Sequence, residues 1–210
     1  MVIRQRAIHT QDRRERSEAI LDAAERLLLR VRDRSASMAE VADEAGLAKG
    51  TVYLYFSGKE ELLLALHERN IDAFFRALIA LLEGAGPVTI DDVWPIAQRY
   101  VIDAPLCLQL ASRCFAMFEQ NVPAQTAAAF DARMRARLER AGAALERHFR
   151  RLEPGDGVAL LRDSYALILG LRQLAGGAAA APGFAQDAER AVRILWEGRL
   201  DRDARRVARS

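Results

Sequence analysis

An all-α fold follows from two features of this sequence. Apolar residues recur at three- and four-residue intervals in nearly every segment, and no stretch alternates apolar with polar residues as a half-buried strand would. Capping signals and glycine or proline breaks then divide the chain into about nine helices. With 210 residues, 51% of them hydrophobic, the chain can build a real core, as one medium domain or as a small domain joined to a larger one.

Helix 1 is expected over 17–29, with Ile20, Ala23, Ala24, Leu27 and Leu28 as its apolar stripe. The segment before it holds Arg4, Arg6, Arg13, Arg14 and Arg16 against Asp12 and Glu15. It reads either as a solvated, disordered tail or as a basic arm. Helix 2 begins after Ser37, because Ser-Met-Ala-Glu is a capping box in which Glu40 reaches back to the cap, and it ends at Gly46. Helix 3 occupies 49–56. Helix 4 begins after Ser57, where Ser-Gly-Lys-Glu repeats the capping logic with Glu60. It carries Leu63, Leu66, Phe74, Leu78 and Leu82 as far as the glycines and proline of 83–87.

Thr89 caps a fifth helix whose course Pro95 kinks or shifts, and a sixth starts near Pro105 and stops before Asn121. The seventh, 124–152, places Phe130, Met134, Leu138, Ala141, Leu145 and Phe149 on one side. The eighth, 158–175, is apolar almost all round, with a charged edge at Arg162, Asp163 and Arg172. The ninth, 184–200, aligns Phe184, Ala188, Ala191, Val192 and Leu195 after a flexible Gly/Ala connector. The tail from Asp201 is expected to fray.

Composition narrows the functional classes. Net charge is +2, which neither demands nor excludes a nucleic-acid partner. Cys107 and Cys114 lie about 10 Å apart on one helix, beyond disulfide reach. No run approaches the roughly 20 apolar residues of a membrane span, and no signal peptide precedes the first helix. A reduced, cytoplasmic protein without a membrane partner is therefore expected. His9, His67 and His148 have no metal-ligand spacing, and the chain has no glycine-rich phosphate loop and no serine elbow. Cys107 or Cys114 could meet His67 or His148, yet no constellation supports such a dyad. Neither an enzyme nor a cofactor or metal site is expected.

The segment from Leu47 to Leu66 carries the chemistry. Of 31 basic residues only Lys49 and Lys59 are lysines, and both fall here, with Tyr53 and Tyr55 between them. A short helix, a turn holding Gly46 and a second short helix have the spacing of a helix-turn-helix, whose second helix enters the DNA major groove. Lys49 and Thr51 in the first turn of that helix suit phosphates, and Gly50 lets the backbone approach. The phenols of Tyr53 and Tyr55 can donate to phosphate oxygens, and Tyr55 can also touch base edges. Lys59 clamps the next phosphate.

These residues, with "AILDAAERLLL" from Ala19 and "SMAEVADEAGLAKGTVYLYFSGKEELLLAL" from Ser37, resemble the tetracycline-repressor-type (TetR) family of bacterial transcription regulators. The resemblance is specific over about 17–66 and architectural beyond. It implies a DNA-binding domain of residues 1–60 with a basic arm, and a helical effector-binding and dimerisation domain of 61–210. By position, Ser37 becomes a cap and phosphate contact, Lys49, Gly50 and Thr51 the recognition-helix entry, Tyr53 and Tyr55 the groove-facing tyrosines, and Lys59 the clamp. Three departures stand out. Ala48 replaces the usual Ser or Thr cap of helix 3, at a cost of about 0.5–2 kcal/mol. Residues 30–36 lack the usual Gly-aromatic pair, and Ala39 cannot make a polar base contact, which concentrates readout on helix 3 and the arm.

The implied function is a ligand-responsive regulator, a repressor that binds a palindromic double-stranded DNA operator as a homodimer and is released by a small-molecule effector. Expected pocket residues are His67, Trp94, Tyr100, Cys107, Gln109, Arg113, Cys114, Phe115, Phe118 and Tyr165. If Gln109 and Arg113 face inward, the effector has a polar or anionic group. The expected dimer face combines Leu161, Tyr165, Ile168 and Leu169 of helix 8 with Ala188, Val192, Leu195 and Trp196 of helix 9, because an apolar helix rarely stays exposed. The alternative is a DNA-binding adaptor whose larger domain takes a protein partner.

Overall fold

The computed structural model describes residues 2–31, 36–117, 122–176 and 183–200. These form α1 (Val2–Val31), α2 (Met38–Glu44), α3 (Lys49–Tyr53), α4 (Lys59–Leu82), α5 (Ile90–Ala97), α6 (Cys107–Met117), α7 (Ala124–His148), α8 (Asp156–Leu174) and α9 (Phe184–Leu200), with a π-helical turn at Gln98–Ile102. There is no strand among the described residues, so the all-α reading holds.

Most helix boundaries follow the local chemistry. Ser37 Oγ accepts from the Glu40 amide at 3.3 Å while the Glu40 carboxylate accepts from the Ser37 amide at 2.9 Å, so the capping box forms at α2. Thr89 and Asp92 make a second box at α5. Gly46 takes φ 65°, the left-handed turn that a side chain would strain.

Four details differ from expectation. The basic segment is no separate tail: α1 begins at Val2, since no glycine or proline interrupts its helix-forming residues. Helix α3 ends at Tyr53, because the chain then turns to bury Phe56. The cap of α4 is Gly58, so Ser57 lies one residue earlier and its amide and hydroxyl donate to Glu61, not Glu60. Pro95 sits inside α5 without breaking it; the helix widens beyond it into the π turn, where the Asp103 amide reaches Gln98 O at 2.8 Å.

Among the described residues two large apolar cores result, with a small cluster of Leu64 and Phe130 beside them, and two helices belong to both large cores. The smaller joins Ile20, Leu27 and Leu28 of α1 to Val41, Val52, Phe56 and the start of α4 through Leu62, Leu63 and Leu66. The larger gathers Ile71, Phe75 and Leu78 of α4 with Val93, Trp94, Leu145, Leu160, Ile168, Val192 and Trp196. Helix α6 sends Leu110 to the first core, together with Leu106 just before it, and Cys107 and Leu108 to the second.

The expected dimer face needs correction. Leu161, Ile168, Ala188, Val192 and Trp196 are buried inside one protomer, and Tyr165, Leu169 and Leu195 pack partly against the same core. The cause is that α8 turns its most continuous apolar stripe toward α7 and α9. Arg172, expected on a charged edge, is buried with its guanidinium 5.8 Å from the Phe184 ring centroid. The outward apolar residues on these helices are instead Leu174, 86% exposed, and Ile194, 62% exposed.

Candidate nucleic-acid interface and cavity

The cap of α2, the recognition helix α3 and the start of α4 converge on one open cleft. Ser37, Lys49, Tyr53 and Lys59 line it, with Ala36, Met38 and Ala39 as its floor. Lys49 Nζ lies 5.9 Å from the Tyr53 ring centroid, so the ring can steady the ammonium without neutralising it. Ala48 supplies no side-chain cap. The Ala48 carbonyl instead closes the first turn of α3, accepting from the Thr51 amide at 2.8 Å. Two point charges and a phenol around one surface cleft form an anion-contacting edge, the arrangement needed to fix a helix on a nucleic-acid backbone, while the Ser37 hydroxyl donates to the Glu40 carboxylate at 2.9 Å.

Behind this surface α4 runs on into the larger domain, and three successive residues of it point to three different places. His67 lines an internal cavity, Glu68 pairs with α7, and Arg69 pairs with α1. Glu68 accepts two bonds of 2.6 Å from Arg133 and one of 2.9 Å from Arg137. Burial opposes the Glu68 charge, but the two guanidiniums outweigh it and hold the carboxyl below its usual range. Arg69 donates to Asp22 and Glu25 at 2.6 Å each, and to Glu18 at 3.3 Å.

The cavity has a volume of about 520 Å³, within the range of small-molecule sites. Its walls come from α4 (His67, Ile71, Phe74, Phe75), α5 (Ile90, Val93, Trp94), α7 (Phe130, Met134, Leu138), α8 (Leu161, Ser164, Tyr165, Ile168) and α9 (Val192, Trp196). Ser164 is satisfied: its hydroxyl donates to Leu160 O at 2.7 Å and accepts from Trp196 Nε1 at 3.0 Å. His67 Nδ1 and Trp94 Nε1 are buried without a hydrogen-bond partner among the described residues. Burial pulls the His67 imidazole down to about 4, slightly countered by the neighbouring Glu68, so the ring is neutral at physiological pH.

Comparison with known proteins agrees with both halves of this geometry. Residues 20–66 match the family model described as bacterial regulatory proteins, tetR family, and residues 68–192 match the tetracyclin repressor-like C-terminal domain. The chain belongs to the TetR family. As a TetR-family protein it is a DNA-binding transcriptional regulator and not an enzyme.

Curated relatives of this regulator include an uncharacterized HTH-type transcriptional regulator of Haemophilus influenzae, 38% identical over 90 residues covering 43% of this chain and 44% of the relative. The fatty acid metabolism regulator protein of Bacillus subtilis is 29% identical over 68 residues, 32% of this chain and 35% of that protein. The HTH-type transcriptional regulator YfiR of Bacillus subtilis is 34% identical over 70 residues, 33% and 34% of the two chains. The matches thus span under half the length of each relative.

The fold brings only some of the expected site residues of this TetR-family protein together. Gly50 and Thr51 lie outside the cleft, and Tyr55 packs partly into the smaller core with the Arg13 guanidinium 5.8 Å from its ring centroid. Arg13, one of the arginines of the basic segment, and the exposed Leu54 therefore flank the recognition helix; Leu54 was not singled out from the sequence. A solvent-facing leucine between two tyrosines was the available signal.

Among expected pocket residues, His67, Trp94 and Tyr165 line the cavity, whereas Tyr100, Cys107, Gln109 and Arg113 do not. Helix α6 spends its apolar sides on the two cores, which turns Cys107 into packing and leaves Gln109 and Arg113 outside the cavity wall. The inference of a polar or anionic effector from those two residues falls with them. Burial pushes the Cys107 thiol up to about 12, so it stays protonated. The side chains of Cys114 and Phe115, and all of Phe118, lie outside the described residues. Among the described residues no metal-binding cluster occurs and no helix is long and apolar enough to cross a membrane.

Proposed function

We propose that this regulator is a repressor that binds a palindromic operator as a homodimer in the cytoplasm and leaves it when a small-molecule effector enters the cavity. The continuity of α4 carries this reading. One helix supplies Lys59 to the DNA-facing cleft, Leu62 and Leu66 to the smaller core, and His67, Ile71 and Phe75 to the cavity wall. An effector that pushes on His67 moves the helix that positions the recognition surface. It acts as a population shift, so it must favour the arrangement in which two recognition helices no longer match two half-sites.

The division of labour places DNA contact in residues 1–60 and effector binding and dimerisation in 61–210, with α4 crossing between them. Ser37, Lys49, Tyr53 and Lys59 contact phosphates, and Gly50 and Thr51 allow close approach at the head of α3. Tyr55 acts mainly by seating α3 and holding Arg13 beside it. Two protomers pair through the outward sides of α8 and α9, which expose Ala166, Gly170 and Leu174 on one helix and Ile194 and Gly198 on the other.

Fluorescence anisotropy on DNA from directly upstream of the gene, titrated at several salt concentrations against a scrambled duplex, tests the reading. Tight, salt-dependent, selective binding with two protomers per site supports it. Equal and weak binding to both duplexes removes operator recognition at that site, and an unchanged complex in the presence of cavity-bound small molecules leaves the protein-partner adaptor as the better account.

A further inference from the structure

We propose that the effector is an uncharged, mainly apolar molecule bearing an oxygen acceptor, held in the cavity by Trp94 Nε1 and His67 Nδ1. The inference rests on reading the cavity as the effector site, and it adds the effector's chemical class. Both side chains are only 4% exposed, line the same cavity, and have no partner for these atoms among the described residues. A buried polar atom left unpaired costs stability, and a native protein tolerates that where a ligand completes the bond. Indole Nε1 can only donate, so the ligand must offer an acceptor; the imidazole nitrogen donates or accepts according to tautomer, so a carbonyl or hydroxyl oxygen suits both.

Charge is excluded on separate grounds. Asp131 and Arg162 are the charged residues among those lining the cavity. Both are exposed, and Arg162 is engaged by Asp163 at 3.1 Å. A carboxylate carried to the depth of His67 and Trp94 would lose its hydration without meeting a cation, and an ammonium there would lose its own without meeting a carboxylate, each a penalty far above that for a carbonyl. The remaining wall is aliphatic or aromatic, apart from Ser164, whose hydroxyl is already bonded, and Tyr165.

The test uses the full chain and the neutral fluorescent probe N-phenyl-1-naphthylamine, displaced by three matched competitors: 2-acetonaphthone, 2-ethylnaphthalene and 2-naphthoate. The wild type is expected to bind the ketone at least about tenfold more tightly than the naphthoate. Trp94→Phe keeps an aromatic ring but removes the donor together with the pyrrole half of the indole, so the hydrocarbon reports the lost contact area and the ketone should weaken roughly 3- to 10-fold more than the hydrocarbon. Naphthoate binding as tightly as the ketone, or equal losses for ketone and hydrocarbon in the variant, overturns the proposal. Should Trp94→Phe fail to fold, the wild-type ranking of ketone over naphthoate decides. Absence of any probe uptake would sink both the cavity reading and the inference. Uptake with the expected ranking but no release of operator DNA would sink the effector reading alone.

Discussion

The guanidinium of Arg69 on α4 donates to the carboxylate of Asp22 on α1 at 2.6 Å, tying the helix that walls the cavity to the first helix of the DNA-binding unit. The same group also reaches Glu18 and Glu25, so one cation answers three carboxylates. Two residues earlier on α4, His67 faces the cavity. The cavity wall and the tie to α1 are thus less than one helical turn apart on α4.

Replacing Arg69 with Ala should therefore cost about 1–2 kcal/mol of stability, since one half-buried guanidinium serves three carboxylates. It should also weaken the effect of a cavity-bound molecule on DNA affinity, because the link that transmits motion is cut. Denaturant unfolding reads the first effect, and anisotropy with and without bound probe the second. A variant that loses stability yet keeps full coupling would reduce Arg69 to a clamp.

Gly142 and Gly157 let α7 and α8 touch backbone to backbone. A β-carbon on Gly142 would stand 2.6 Å from the Val158 amide nitrogen, and one on Gly157 would stand 2.8 Å from the Gly142 α-carbon. Backbone atoms cannot yield as a side chain can. Gly142→Ala or Gly157→Ala is expected to destabilise the protein by roughly 1–3 kcal/mol despite the better helix propensity of alanine. Thermal melts should fall by several degrees; an unchanged melting temperature would mean that the helices separate at no cost.

Lys49→Ala and Lys59→Ala should each weaken binding to every DNA sequence and make the dependence of log affinity on log salt shallower by about one. Ser37→Ala, which removes a capping hydroxyl, should instead lower stability by about 1 kcal/mol with little change in slope. Anisotropy across a salt series separates the two. An unaltered slope in a lysine variant removes that lysine from the phosphate contacts.

Because burial holds the His67 imidazole near 4 in the folded chain against 6.5 when unfolded, the unfolded state binds the extra proton between those values. Stability is therefore complete above about pH 6.5 and is lost as pH falls toward 4. From pH 7 to pH 5 the His67 contribution to this loss is about 2 kcal/mol. Urea unfolding of the wild type and His67→Gln across that range should show a shallower decline in the variant by about that amount. Parallel curves would place the imidazole in contact with water.

The segments that announced themselves were those whose signals are local. Ser37 and Glu40 are three residues apart, so their box could be read directly, and Thr89 could be read as a cap; both form, with Asp92 completing the second. Gly46 and the lysines fixed the helix-turn-helix in the same way. Errors arose where a choice depended on the far side of the molecule. Whether Ser57 pairs with Glu60 or Glu61 turns on where α4 starts, and that is set by the burial of Phe56 and Leu62. Helix α8 shows the same limit: a helix apolar almost all round names no face, and only packing against α7 and α9 sends Ile168 inward and leaves Leu174 outside.

Sequence by itself determined the helical class, the DNA-binding motif and its two lysines, since helical period, capping and turn chemistry act over a few residues. Tertiary structure decided which aromatic and imidazole groups meet. His67, Trp94 and Tyr165 lie on α4, α5 and α8, and nothing in their spacing says that they share a wall, whereas Cys107 and Arg113 looked equally eligible. Long-range packing removes apolar area from water without regard to order along the chain. A cavity is what that packing leaves unfilled, so its lining is a property of the assembled fold.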